Sequence, residues 1–303
     1  MNASTATQQT GWDLAPGDEI APGLRALRFL GGGLRYEAHI AHSDHLRALV
    51  VVKLLRREAV TDAGALAGMR GEWDMLRRLA HPMLLRGFGA ELEGERPHIV
   101  LELIEGPRLS TLIRRHGVDL EQLLPLALNL CSVLHYLERE DVVHLDVKPR
   151  NIIMGAEPRL IDLSIARRLD ALGELRRPVG TDAYMAPEQC GVGGDGYFRD
   201  IGPAADVWGL GATLYECVAG SRPFAGRSHE RFPQLHELPQ PLPGRVPVPV
   251  AAAVMACLEF RPADRPSAGE LGDALEPLVG ALPAPRIGRF RPRRTTHQQE
   301  VLA

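Results

Sequence analysis

The chain has 303 residues, 45% of them hydrophobic and 24% charged, with a formal net charge of −3. That length can bury a sizeable core in one large domain or two lobes, and the near-neutral balance argues against nucleic acid or a membrane surface as the main partner. The longest apolar stretches, around 123–137 and 246–260, are interrupted by proline or polar residues and are too short to form a transmembrane segment.

Residues 1–22 are polar, contain proline and glycine, and read as a loose N-terminal tail with no secretory signal. Three strand-like runs follow between 24 and 54: "LRALRFLG", "YEAHIAH" and "ALVVVKLL". "GALAGMRGEWDMLRRLA" then has helical spacing at Leu66, Met69, Trp73, Leu76 and Leu79, and His81-Pro82 supplies a stop. "MLLRGFGAEL" and "PHIVLELI" read as two more strands, so five strands and one helix make a small α+β lobe that ends near 104.

The remainder is mainly helical. Leu123, Ala127, Leu130, Leu134 and Leu137 form one apolar stripe over 119–139, where Pro125 predicts a late start or a kink. "PAADVWGLGATLYECVAG" is nearly all apolar and should be a central helix, and 233–249 is a proline-rich irregular connection. Ser267 with Glu270 predicts a capping box that opens the last helix. Residues 283–303 read as a basic solvated tail that carries Arg286, Arg289, Arg291, Arg293 and Arg294. The four cysteines lack metal spacing and read as reduced and structural, which suits a cytoplasmic location.

Of 35 basic residues only Lys53 and Lys148 are lysine. They are either chance survivors in an arginine-rich chain or positions that need a compact, rotatable ammonium. Lys53 ends the strand "VVVK", and Glu72 lies in the following helix, where it can supply a counter-charge. The glycine run in "RFLGGGLRYEAHIA" suits close backbone approach to a ligand, although a plain hairpin would use it equally well. "VVHLDVKPRNIIM" encloses Asp146, Lys148 and Asn151 between apolar flanks, and "RLIDLS" brings Asp162. Asn151, with these carboxylates, offers the oxygen ligands that Mg²⁺ prefers.

Together with "GTDAYMAPE", "ADVWGLG" and "RPADRPS", these motifs in this order resemble the eukaryotic-type Ser/Thr protein kinase family in its bacterial, high-GC actinobacterial-like form. The resemblance covers about 24–280, and both lysines fall on its two lysine positions, which favours the second reading of them. It implies an α+β two-lobed fold with a kinase domain at 23–282, divided into an N-lobe at 23–103 and a C-lobe at 104–282. It also implies ATP and Mg²⁺ as cofactors and a protein substrate. Leu30, Gly31 and Gly33 would cover the nucleotide, and Lys53, held by Glu72, would contact its phosphates. Leu101 would guard the inner pocket, while Glu102 and Leu103 would offer backbone groups to adenine. Asp146 would take the substrate proton, Lys148 would steady the γ-phosphate, and Asn151 and Asp162 would hold the metal. Glu188 and Arg265 would form a buried ion pair, and Asp206 would brace the catalytic loop.

Several positions depart from the family pattern. Tyr36 stands at the third loop glycine and Ala38 at the usual valine over adenine. The sequence has "DLS" for DFG, and "HLD" places Leu145 where an arginine commonly receives an activation-segment phosphate. Between Ser164 and Thr181 there is no Ser, Thr or Tyr, so regulation by phosphate in that segment is not expected. Two alternatives stand beside the enzyme reading: a pseudokinase scaffold, and a small-molecule kinase of the aminoglycoside phosphotransferase type.

Overall fold

The computed structural model describes residues 11–191, 201–224, 226 and 231–283. Its small lobe is an antiparallel sheet of β1 (Glu19–Ala21), β2 (Leu24–Gly32), β3 (Tyr36–Ser43), β4 (Ala48–Leu55), β5 (Gly87–Glu91) and β6 (His98–Glu102), with α1 (Ala63–Arg78) between β4 and β5. The strand order is β1-β2-β3-β4-β6-β5. Two-residue periodicity sorts β4 cleanly. Val50, Val52 and Leu54 point to one face, while Val51 and Lys53 point to the face that carries α1.

The sheet has six strands where five were expected, because residues 11–22 do not form a loose tail. The Trp12 indole N–H donates to the Leu55 carbonyl at 2.7 Å, and the guanidinium groups of Arg96 and Arg57 lie 4.9 and 5.9 Å from its ring. Trp12, Leu14 and Ala21 cover Val50, Val52 and Leu54 on the face away from α1. The burial of this outer face accounts for the order of the segment. The expected tail over 283–303 lies outside the described residues beyond Pro283.

Asp62 caps α1 by accepting from Gly64 N and Ala65 N. Ala65, Met69, Glu72 and Leu76 are buried along the helix, so a carboxylate sits in its apolar stripe. The large lobe contains α2 (Leu109–His116), α3 (Leu120–Arg139), α4 (Pro187–Cys190), α5 (Pro203–Ala219), α6 (Val248–Ala256) and α7 (Ala268–Gly280). Two small ribbons, β7 (Val142–Val143) with β10 (Arg167–Arg168) and β8 (Ile152–Met154) with β9 (Pro158–Leu160), frame the loop 144–151.

The expected stripe on α3 is buried throughout. The helix does not start late: it begins at Leu120 and runs through Pro125, which forfeits one early hydrogen bond while the buried stripe holds both sides. Pro203 at the first turn and left-handed Gly220 after the last delimit α5, and Ser267 and Glu270 form the reciprocal capping box of α7.

Arg265 joins these helices to the 180–190 segment. Its fork meets both Glu188 oxygens at 2.6 and 2.9 Å, and its remaining N–H groups reach the carbonyls of Glu259, Ala204 and Phe260. Its planar group also lies 4.9 Å over Trp208. A lysine cannot reproduce five directed donors. Arg265→Ala is expected to cost about 3–5 kcal/mol in urea denaturation, since it strands a buried carboxylate. Arg265→Lys should recover less than half of that, and full recovery would reduce the site to simple charge pairing.

Candidate active site

Strand alternation aims Lys53 at α1, where Nζ donates to Glu72 Oε1 at 2.8 Å and Oε2 at 2.7 Å. The same ammonium reaches Asp162 Oδ1 of the other lobe at 3.1 Å. Burial alone would lower the Lys53 pKa, but Glu72 and then Asp162 outweigh it and hold the ammonium above its ordinary range. Burial pushes the Glu72 carboxyl up against the pull of Lys53. At Asp162 burial is likewise opposed, and Lys53 with the Ser164 hydroxyl keeps the carboxyl well below the usual range. Ser164, a departure from the family glycine, thus favours the ionised form of Asp162, a role the sequence did not predict.

The loop between β7 and β8 answers why charge sits between buried flanks. Asp146 Oδ1 accepts from Thr181 Oγ1 at 2.7 Å, while Oδ2 accepts from Lys148 Nζ and from Asn151 Nδ2 at 2.9 Å. Lys148 Nζ also donates to Thr181 Oγ1, so Thr181 ties the 180–190 segment to the loop. Three bonds leave the Asp146 carboxylate one free acceptor position out of about four. Asn151 O accepts from Ile161 N at 2.9 Å, which brings Asn151 beside the residue preceding Asp162.

Behind this loop Asp206, at the start of α5, accepts from the backbone N–H groups of His144 at 2.7 Å and Leu145 at 2.8 Å. Leu145 adopts φ of 66°. Gln189, which the sequence reading did not single out, donates to the Leu145 and Val179 carbonyls, both at 3.0 Å. The only sequence signal for it was its place directly after "APE".

The glycine run forms the β2–β3 turn, where Gly33 N donates to Tyr36 O at 2.8 Å. Nothing lies within 4 Å of a Cβ added at Gly31 or Gly33, and Gly31 has φ of +138°. That leaves an open backbone cradle beside the half-exposed Leu30. Leu101 is buried, and Leu103 follows Glu102 just past the end of β6, where the sheet ladder stops. Tyr36 fills its unusual position in a specific way: its hydroxyl donates to Ala65 O of α1 at 3.0 Å and its ring lies 5.0 Å from Lys53 Nζ. A Cβ at Gly68 would come within 2.9 Å of that hydroxyl, so the glycine on α1 makes room for it.

The structure thus gathers Lys53, Glu72 and Asp162 on one side and Asp146, Lys148, Asn151 and Thr181 on the other. Two ammonium groups and an open cradle suit a polyanion, and a carboxylate with one free acceptor position suits a hydroxyl proton. Among the described residues no cluster of three His, Cys, Asp or Glu side chains could hold a metal, so any ion would rest on Asp162, Asn151 and ligand oxygens.

Comparison with known proteins agrees with this arrangement. A family model, the protein kinase domain, matches residues 24–274. The chain is 36% identical over 246 residues to the serine/threonine-protein kinase PkaA of Streptomyces coelicolor, an alignment that covers 77% of this chain and 44% of that one. It is 31% identical over 281 residues to PknA of Mycobacterium tuberculosis, covering 89% and 62% of the two chains. It is 28% identical over 251 residues to PknB of Mycobacterium leprae, covering 78% and 39%. The chain therefore spans from 39% to 62% of these three relatives' lengths.

Burial pushes the Asp206 carboxyl up to about 6, against the pull of His144 and the two backbone N–H groups. Above that pH it is a double acceptor. Below it, the added proton turns one oxygen into a donor facing N–H groups. In an NMR titration the His144 and Leu145 amide protons are expected to move upfield as pH falls through about 6, and Asp206→Asn should remove the transition. Flat wild-type profiles would show that Asp206 stays ionised and the loop's anchor is insensitive to acid.

Proposed function

The chain belongs to the protein kinase family, and from that footing we propose that it transfers the γ-phosphoryl group of ATP to serine or threonine hydroxyls of a protein substrate. The observation that carries this reading is the convergence of the Lys53–Glu72–Asp162 group with the Asp146–Lys148–Asn151–Thr181 network across one cleft. In this reading Leu30, Gly31 and Gly33 cover the nucleotide, and Glu102 and Leu103 receive adenine. Lys53 holds the α- and β-phosphates. Asp146 accepts the proton as the substrate oxygen attacks the γ-phosphorus and the bond to the β-phosphate oxygen breaks. Lys148 balances charge on the transferred group.

The residues present fit Mg²⁺. Asn151 turns its amide nitrogen to Asp146, which leaves its oxygen, and Lys53 contacts only Oδ1 of Asp162. Bound there, the ion would neutralise phosphate charge. The kinase domain is taken as 23–282, with the lobes meeting between Leu103 and Ile104. The four free cysteines are buried, which supports a cytoplasmic setting. No helix among the described residues is long and apolar enough to cross a membrane.

A binding module on the same fold is the second reading, because the Tyr36 ring lies over Lys53 near where phosphates would sit. One assay separates the two. Purified chain with Mg²⁺ and labelled ATP should phosphorylate a protein extract, and Asp146→Asn should lower the rate on the order of 10²–10⁴-fold. Lys53→Arg should fall nearly as far as Lys53→Ala, because a planar fork cannot take the place of an ammonium wedged among three carboxylate oxygens. Nucleotide binding without transfer by the wild type would favour the scaffold.

Leu145 is buried at 3% exposure, where a phosphate-receiving arginine is common, and residues 165–180 offer no acceptor. The segment is ordered instead by the β7–β10 pairing and by Ile165, Leu169, Leu172 and Leu175 packed on the main core. Exhaustive phosphatase treatment should leave the initial rate within about twofold, against the roughly tenfold that 1.4 kcal/mol of lost ordering would cause. A steep, reversible fall mapped to 162–188 would overturn this account.

A further inference from the structure

Arg108 precedes α2, and Arg150 lies in the short 3-10 turn of residues 149–151, two positions beyond Lys148. The chain brings them together: Arg108 Nη1 donates to the Arg150 carbonyl at 2.6 Å, and the Arg108 backbone bridges to Ile153 of β8. Both side chains are exposed, and among the described residues neither has a carboxylate within ion-pair distance. Partial loss of solvent around the stem, and then the Arg150 charge, lower the Arg108 pKa, while Asp162 pulls the other way. Two like charges are thus held near each other, with Arg150 on the same loop that presents Asp146. Without an anion the arrangement costs energy.

We propose that Arg108 and Arg150 form a subsite for an acidic side chain of the protein substrate, so that this kinase prefers acceptor hydroxyls flanked by Asp or Glu. The inference rests on the kinase reading above and names the substrate class of that same site. An extended peptide whose hydroxyl reaches Asp146 advances about 3.3 Å per residue. A side chain two or three positions from the acceptor therefore comes within reach of a long guanidinium stem that starts at Arg150. Guanidinium groups bind carboxylates through paired, charge-assisted N–H bonds, which lends the subsite geometric selectivity as well as charge.

The test uses three serine peptides that are identical except for Glu, Ala or Lys at the second and third positions on each side of the acceptor. With wild type, kcat/KM should fall in the order Glu, Ala, Lys, by about three- to tenfold overall, an effect that salt weakens. In the double variant Arg108→Glu with Arg150→Glu the order should invert, a gain toward the Lys peptide that misfolding cannot mimic. An unchanged order in that variant overturns the subsite. So does a change confined to the KM for ATP, which would assign the pair to the nucleotide phosphates. Fluorescence anisotropy of the labelled peptides reads the same preference without turnover. Loss of transfer alone would therefore count against the kinase reading, whereas equal or absent binding of the Glu and Lys peptides would count against this one.

Discussion

The Asp206 carboxylate and the backbone of residues 144–145 form the contact on which the site depends. Leu145 sits at φ of 66°, a conformation that costs a branched residue on the order of 1–2 kcal/mol. Asp206 takes both neighbouring N–H groups, and Gln189 donates to the Leu145 carbonyl, so the twisted backbone is held from both sides. The twist turns the chain so that Leu145 enters the core while Asp146, next along, faces Thr181 and Lys148. Burying Asp206 is itself unfavourable, which its raised pKa expresses. The fold places that cost on α5, a helix whose other residues are almost all apolar, and gains a fixed backbone at residues 144–145.

Across the cleft the corresponding task is to keep α1 close to the sheet. Glu72 does this through Lys53, while the buried Ala65 and Met69 pack the first half of the helix on the core and Arg35 pairs with its cap Asp62. Tyr36 adds a further attachment through the Ala65 carbonyl, and Gly68 clears the space for its hydroxyl. Read in sequence, Tyr36 looked like the loss of a loop glycine. In three dimensions it joins the glycine turn, Lys53 and the helix, while Gly31 and Gly33 still leave an open cradle.

Much of this was legible in the sequence because periodicity and short motifs are local. The alternation in β4, the stripe on α3 and the Ser267–Glu270 box each require only neighbours a few residues apart. The motifs around Lys53, Asp146, Asn151 and Asp162 were legible through their order and spacing. What stayed hidden depended on contacts between distant residues. Trp12 docks 43 positions away on Leu55, and Gln189 bonds Leu145 across 44. The late start that Pro125 offered does not occur for the same reason, since propensity reports the isolated helix and not the buried face that holds it in place.

The distribution of cations follows from geometry as well. Where Arg265 serves, the targets are two carboxylate oxygens and three carbonyls spread around a plane, which a guanidinium fork meets directly. Lys53 faces three oxygens from two carboxylates that converge on one point, and Lys148 faces an Asp and a Thr oxygen in the same manner. A point charge with rotatable donors satisfies such a cage, and a rigid plane does not. A chain that otherwise uses arginine for every cation therefore keeps lysine at two positions, one on β4 of the small lobe and one on the loop before β8 of the large lobe. The composition records the site because the site alone imposes a demand that the common cation cannot meet.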